Sequence, residues 1–230
     1  MNKEDILRKV DHTVLKVDAG WNDIKKVLDD AMEYNCATAC IPPCFVANAN
    51  YYVDGKLPIC TVIGFPNGYS STETKCFETK QAISDGASEI DMVVNISAIK
   101  DKKYDYVLDE IKQIAQICNN HIVKVPLKVI IETCLLTDEE KIKMCEIIAE
   151  AGADYVKTST GFSLSGATVS DIKLLRKEVD KLNNIEKYKE MYPNRDKIRI
   201  KAAGGIKDFD DAQALLDAGA DRLGTSRLIK

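Results

Sequence analysis

The sequence lacks two features that would place the protein on a polymer or in a membrane. Its 32 basic residues are offset by 36 acidic ones, which leaves a formal net charge of −4 and no cationic surface for a polyphosphate backbone. Long hydrophobic runs are also missing, since no stretch approaches the roughly 18 apolar residues that span a bilayer. The first ten residues, MNKEDILRKV, are polar and carry no apolar signal-peptide core. We therefore expect a cytoplasmic protein that binds neither nucleic acid nor membrane.

Histidine is scarce as well, with two residues in 230. Eight cysteines are present, and in a cytosolic chain they are expected to be reduced thiols. Cys36, Cys40 and Cys44 recur at every fourth residue, but the prolines at 42 and 43 interrupt any helix that would align them. We therefore predict no metal site and no cofactor.

Short apolar segments alternate with longer amphipathic ones along the whole chain. The segments that read as strands are VDHTVLK, CATACIP, PICTVIGFP, EIDMVVN, PLKVIIET, DYVKTST, IRIKAAGG and RLGTSR. The segments between them repeat apolar residues at three- and four-residue spacing, which predicts helices and hence a parallel sheet. Eight such units in 230 residues predict a (β/α)8 TIM barrel, a single domain over residues 1–230, with a doubly wound open sheet as the alternative. The chain ends three residues after Arg227, so the final helix is expected to be abbreviated.

One segment departs from this rhythm. Residues 182–197, LNNIEKYKEMYPNRDK, form a long charged connection between a helix and a strand. In a barrel such connections lie at the bottom face, away from the chemistry, and we interpret this one as a solvated extension.

Three consecutive strands, the fifth to the seventh, each carry a lysine: Lys128, Lys157 and Lys201. A single strand lysine is commonly explained by an ion pair or by a side chain that reaches water. Three lysines around one barrel axis repel one another unless one of them is neutral. A neutral lysine amine attacks a carbonyl, and the resulting Schiff base allows the adjacent carbon–carbon bond to break or form through an enamine.

This chemistry also requires a group that moves protons. Asp91 lies among apolar residues of the fourth strand, where an unpaired carboxylate is costly, so it is either this group or part of a structural ion pair. Asp11 has the analogous place on the first strand and is a weaker candidate. The neighbouring His12 is predicted to point to the opposite face.

Small residues follow the last three strands, in STG (159–161), AGGI (203–206) and GTSR (224–227). Loops at these places in barrel enzymes commonly hold a phosphate with backbone N–H groups. The alternative is that Gly204 and Gly205 serve only a tight turn.

Several of these motifs occur together in one family. The stretches DHTVLK, TVIGFPNG, DGASEIDMVVNI, LKVIIETCLL, GADYVKTSTGF, KAAGGI and GADRLGTS resemble the deoxyribose-phosphate aldolases, in order from about residue 8 to 227. The resemblance implies a metal-free class I aldolase that reversibly cleaves 2-deoxy-D-ribose 5-phosphate to D-glyceraldehyde 3-phosphate and acetaldehyde. It also implies a homo-oligomer, with a dimer as the expected form.

By position, the resemblance makes Lys157 the Schiff-base lysine, Lys201 the second lysine that lowers its pKa, and Asp91 the proton relay. Further residues fall on active-site or phosphate-loop positions of the family; they are Asp11, Lys128, Gly161, Gly204, Gly205, Gly224 and Ser226. Arg227 departs from the family, in which many members carry a small residue there.

Two other functions fit the sequence. In a non-catalytic barrel that binds a sugar phosphate, the lysines would serve only as counter-ions. In a phosphosugar isomerase without covalent catalysis, Glu132 would be the base.

Overall fold

Eight parallel strands close into a barrel in the computed structural model of the protein, which describes residues 1–193, 195 and 197–229. Each strand pairs with the next one along the chain, and β8 pairs with β1. The predicted barrel is therefore confirmed, and the open sheet is wrong. The strands are β1 (Val10–Thr13), β2 (Thr38–Ile41), β3 (Ile59–Ile63), β4 (Glu89–Val93), β5 (Leu127–Ile130), β6 (Tyr155–Lys157), β7 (Arg199–Ala203) and β8 (Arg222–Thr225).

Helices surround the barrel, and the six long ones coincide with the predicted amphipathic segments. These are α2 (Trp21–Glu33), α4 (Thr72–Ser84), α6 (Tyr104–Asn119), α7 (Asp138–Ala151), α8 (Val169–Asn183) and α10 (Phe209–Asp217). Four shorter helices were not predicted, because five to eight residues are too few to show a helical period; they are α1 (Lys3–Leu7), α3 (Val46–Val53), α5 (Ile96–Lys100) and α9 (Glu186–Met191). Short 3-10 turns occur at Pro43–Phe45 and Thr133–Leu135.

Local sequence explains where α7 begins and ends. The Thr137 hydroxyl accepts the backbone N–H of Glu140, whose carboxylate in turn accepts the backbone N–H of Thr137 at 2.8 Å. At the other end Gly152 takes a left-handed conformation that ends the helix and turns the chain into β6. The apolar faces of the helices pack on the outside of the barrel, where Ile24, Ile111 and similar side chains are fully buried.

Most described residues of the connection at 182–197 are exposed, and α9 within it buries none, which agrees with the predicted solvated extension. Two side chains anchor this connection to the protein. The Tyr192 hydroxyl donates to the carbonyl of Glu150 at 2.6 Å, and the Arg195 guanidinium donates to the carbonyl of Ala149 at 3.1 Å. Both carbonyls lie near the end of α7, just before β6 starts, so this connection is at the bottom of the barrel as predicted. Asn194 and Asp196 lie outside the described residues.

The described residues after β8 agree with the prediction of an abbreviated final helix. Within the described residues that follow β8, 226–229, no helix is present, and Leu228 and Ile229 pack into the core. No helix in the described part of the chain is both long and apolar enough to cross a bilayer.

Candidate active site

Charged side chains occupy the middle of the barrel, where an interior of this size is otherwise filled by apolar groups. Alternate residues of a strand point inward, so β4 contributes two carboxylates and the cations come from β5 to β8. All of them are largely buried. The set consists of Asp11, Glu89, Asp91, Lys128, Lys157, Lys201 and Arg222.

Asp91 lies at the centre of this set. Its Oδ2 accepts hydrogen bonds from the amines of Lys157 and Lys201, each at 2.6 Å, and its Oδ1 accepts one from Lys128 at 2.8 Å. Strand pairing produces this convergence, since Asp91 is the register partner of Lys128, and Lys157 is the register partner of Lys201. The three lysines that the sequence placed around one barrel axis therefore form one cluster with Asp91.

Asp11 joins the cluster from β1. Its carboxylate pairs with the amine of Lys201 and, at 2.9 Å, with Nη1 of Arg222. The second carboxylate of β4, Glu89, pairs with the amine of Lys128 at 2.5 Å and with Nη2 of Arg222 at 3.1 Å. Sequence reasoning missed Glu89 and Arg222. The two-residue period that placed Asp91 inside also places Glu89 inside, and this signal was available.

The electrostatics of the cluster keep most of its members charged. Burial acts to raise the pKa of Asp91, but the three neighbouring ammonium groups outweigh burial and hold that pKa well below its usual range. Burial acts to lower the pKa of Lys201, yet the Asp11 and Asp91 carboxylates outweigh it and raise the pKa. The pKa of Lys128 is raised in the same way, with burial again opposed by Asp91. Lys128 and Lys201 therefore remain ammonium ions at neutral pH.

A cavity of about 230 Å³ opens at the carboxyl ends of the strands, and of the three lysines it is Lys157 that lines it. One wall of this cavity is made by the loops after β6 and β7, the end of β8 and the residues that follow it. All five predicted phosphate-loop residues belong to this wall; they are Gly161, Gly204, Gly205, Gly224 and Ser226. The structure thus brings the predicted phosphate residues and the predicted nucleophile to one cavity.

The glycines of this wall are needed for its shape. Gly204 has a left-handed φ of 79°, and a Cβ built there would lie 3.1 Å from the Cα of Gly166. The loop after β6 therefore packs directly on the loop after β7. Two cations, Lys16 and Arg227, also line the cavity from its exposed rim.

Glu132, the base of the alternative isomerase hypothesis, lines a neighbouring cavity of about 280 Å³. Its carboxylate accepts hydrogen bonds from the hydroxyl of Thr160 at 2.5 Å and from the backbone N–H of Thr160 at 3.3 Å. Burial raises the pKa of Glu132, against the opposing effect of these bonds. Glu132 is not among the residues that line the cavity with Lys157.

Two cysteines border the cluster. One ligand atom from each of Cys40, Cys60 and Asp91 lies within 4.8 Å of the others, and the same holds for Asp11, Cys60 and Glu89. The carboxylates in both groups are already bound by ammonium or guanidinium groups, which a divalent cation would have to displace. The donor set therefore fits protein cations better than a metal ion.

The histidines lie outside the cluster. His12 is buried on the other face of β1, with Nε2 3.6 Å from a carboxylate oxygen of Asp30, and burial lowers its pKa. This confirms that His12 and Asp11 point to opposite faces. His121 is exposed in the connection between α6 and β5.

Comparisons with known proteins agree on one family. The model of the DeoC/LacD family of aldolases matches residues 6–226. A deoxyribose-phosphate aldolase of Clostridium botulinum (strain Alaska E43 / Type E3) is 52% identical over 229 residues, which covers 100% of this chain and 95% of the relative. One of Streptococcus pyogenes serotype M4 is 50% identical over 230 residues, with the same coverage. The solved structure of a tetrameric deoxyribose phosphate aldolase from Aeropyrum pernix has a TM-score of 0.85 at 28% identity, over 97% of this chain and 87% of that one.

Proposed function

Because the chain belongs to the DeoC/LacD family of aldolases, we propose that it reversibly cleaves 2-deoxy-D-ribose 5-phosphate to D-glyceraldehyde 3-phosphate and acetaldehyde, with Lys157 as the nucleophile. The observation that carries this proposal is that the amines of Lys157 and Lys201 both contact Asp91 Oδ2, at 2.6 Å, beneath the cavity bounded by the glycine loops.

Lys157 is the nucleophile because its side chain lines the cavity and its amine lies beside the ammonium group of Lys201. Two ammonium groups on one carboxylate oxygen repel each other, and loss of the proton from Lys157 relieves that repulsion. Lys201 stays protonated, held by Asp11 and Asp91. The free amine of Lys157 then adds to the aldehyde carbon of the sugar and, with loss of water, forms the imine.

Asp91 and Lys201 supply the proton transfers. Cleavage of the bond between C2 and C3 of the imine removes the proton of the C3 hydroxyl and releases D-glyceraldehyde 3-phosphate, leaving an enamine on Lys157. The enamine takes up a proton at C2, and hydrolysis then releases acetaldehyde and restores the amine. Asp91 Oδ2, in contact with both amines, is placed to pass protons between the substrate and Lys201.

The phosphate is proposed to bind at the glycine-lined wall of the cavity. Three left-handed glycines there, Gly161, Gly204 and Gly205, leave the backbone open to an anion, and Ser226 adds a hydroxyl. Arg227 at the rim supplies a positive charge in the place where many members of the family carry a small residue. Lys157 and this wall line the same cavity, so one substrate can contact both.

The alternatives from the sequence fit this geometry less well. A barrel that only binds a sugar phosphate has no need for three lysines around one buried carboxylate at the base of its cavity. An isomerase that used Glu132 would need that carboxylate beside the substrate, whereas Glu132 is bound to Thr160 and lines the adjacent cavity.

Trapping of the imine tests the proposal. Acetaldehyde with borohydride should add a stable two-carbon group to the peptide that contains Lys157, and Lys157→Arg should abolish this labelling, because a guanidinium stays protonated. Mass spectrometry of the digested protein identifies the labelled residue. A label on Lys128 or Lys201 would contradict the assignment of the nucleophile, and labelling of no lysine would contradict the covalent mechanism.

Oligomeric state is part of the same proposal. We propose a homo-oligomer, with a dimer as the expected form, and the Aeropyrum pernix relative is a tetramer. Light scattering after size-exclusion chromatography measures the number of subunits, and a monomer at micromolar concentration would contradict this part.

A further inference from the structure

The charged cluster extends below the three residues proposed to carry out the chemistry. Glu89 and Arg222 lie nearer to the amino ends of their strands, and neither lines the cavity. Arg222 joins two carboxylates, with Nη1 2.9 Å from Asp11 and Nη2 3.1 Å from Glu89. Glu89 in turn contacts the amine of Lys128 at 2.5 Å. This lower layer is therefore connected to the upper one through Asp11 and Lys128.

The formal charges of the groups that contact one another in the two layers can be counted. Apart from Lys157, these groups are three cations, Lys128, Lys201 and Arg222, and three carboxylates; the carboxylates are Asp11, Glu89 and Asp91. The six charges sum to zero, so loss of one charge from the lower layer changes the sum beneath Lys157 by one unit. An uncompensated charge in a buried site is costly.

We propose that Glu89 and Arg222 are positioning residues that set the charge beneath Lys157 and so set the pH range in which its amine is free to react. The inference rests on the proposed role of Lys157 as nucleophile. Glu89 and Arg222 act through Lys128 and Asp11, and they touch no substrate.

Other titratable and charged groups lie near the cluster, and the substitutions below leave all of them in place. Cys40 on β2 and Cys60 on β3 border it; a hydrogen bond with Cys60 lowers the pKa of Cys40, and burial raises the pKa of Cys60 well above its usual value. Tyr155, on β6 itself, accepts a hydrogen bond from Arg199 at 3.1 Å. Glu132, after β5, is bound to Thr160 and lines the neighbouring cavity.

The lower layer is suited to such a role because it can be changed without altering the cavity. Lys157 and the phosphate wall lie at the carboxyl ends of the strands, whereas Arg222 is the first residue of β8 and Glu89 the first of β4. A neutral substitution in this layer changes the charge beneath Lys157 by one unit and leaves every group that faces the substrate in place.

The pH dependence of imine trapping tests the inference. The full-length protein is treated with acetaldehyde and cyanoborohydride across a pH series, and the label on Lys157 is measured by mass spectrometry. Glu89→Gln adds one positive charge, so the midpoint of labelling should move to lower pH by about one unit, a tenfold change in the fraction of free amine. Arg222→Gln removes one, so the midpoint should move to higher pH by a similar amount.

The double variant makes the test specific for charge. Glu89→Gln with Arg222→Gln restores a sum of zero, and its midpoint should return close to that of the wild type, although two contacts have been lost. Arg222→Lys keeps the charge, and its midpoint should also stay in place. A purely structural role predicts that the double variant is the most impaired of the set.

Matched controls come from an exposed ion pair on α7. Glu146→Gln and Lys143→Gln change the net charge of the protein by the same amounts, far from the barrel interior, and should leave the midpoint unchanged. Midpoints that coincide for the wild type and both single variants, with the label still on Lys157, would overturn the inference and leave the proposed function standing. Absence of the label on Lys157 at every pH would instead overturn the proposed function.

Discussion

Two buried lysine sites in this protein have different balances of charge. Outside the barrel, the amine of Lys75 on α4 contacts one carboxylate oxygen of Glu110 at 2.7 Å and the carbonyls of Gly68 and Val93 at 2.6 and 2.9 Å. Three acceptors thus meet the three protons of one ammonium group. Inside the barrel, three ammonium groups meet on the single carboxylate of Asp91.

The difference also affects the pKa values. Burial lowers the pKa of Lys75 and raises that of Glu110, in both cases against the pull of the partner. In the barrel, carboxylates outweigh burial and raise the pKa of Lys128 and Lys201. Burial of a lysine therefore does not by itself indicate a nucleophile. Lys157 differs from Lys75 in two ways. It shares the Asp91 carboxylate with two other ammonium groups, and it lines the cavity at the carboxyl ends of the strands.

The largest effect is expected from removing the negative charge of Asp91, whose carboxylate contacts the amines of all three lysines. Asp91→Asn keeps an oxygen acceptor but leaves the ammonium groups without their common counter-ion and without a proton relay. We expect kcat/KM to fall by about 10³-fold or more, within the range reported for positioned proton-transfer groups. Steady-state cleavage assays measure the loss, and circular dichroism confirms that the variant is folded. A folded variant that loses less than tenfold would contradict the central role of Asp91.

The second-largest effect is expected on stability, from a change at the buried Lys75 outside the barrel. Lys75→Met leaves Glu110 buried without its cation, and we expect the free energy of unfolding to fall by about 3–5 kcal/mol. Lys75→Met with Glu110→Leu should recover most of this loss, because no unpaired charge remains. Denaturant unfolding measures both. At equal amounts of folded protein, kcat should stay within a few fold of the wild type, and a catalytic defect as large as that of Asp91→Asn would remove the distinction between the two sites.

The smallest effect is expected for a cation that reaches water. Arg227 lies exposed at the rim of the cavity, where solvent screens its charge. Arg227→Gln should raise the KM for deoxyribose 5-phosphate by about two- to fivefold, the range of an exposed ion pair. The matched control is unphosphorylated deoxyribose, for which the variant and the wild type should have equal kcat/KM. An equal effect on both substrates would show that Arg227 does not bind the phosphate.

Much of the fold and part of the site followed from local patterns. The eight strands lie within the eight predicted segments, because a buried parallel strand is a short apolar run and each is bounded by turn residues. Helices α1, α3, α5 and α9 were missed, since each is shorter than three turns. The solvated extension agrees with the exposure of that connection, but the contacts of Tyr192 and Arg195 that anchor it were not predicted, because they are with backbone carbonyls, which no side-chain pattern reveals. That residues 1–230 form a single folding domain stays a prediction.

The sequence alone determined the order of the elements and the inward direction of Lys128, Lys157, Lys201 and Asp91, because a strand alternates its side chains with a period of two. Only the tertiary structure decided which inward groups meet. Arg222 contacts Glu89 and Asp11, residues 133 and 211 positions away, because the sheet closes and joins β8 to β1. Closure staggers each strand against the next, so the partner of an inward charge depends on the register summed around the whole barrel. No local stretch of sequence contains that sum.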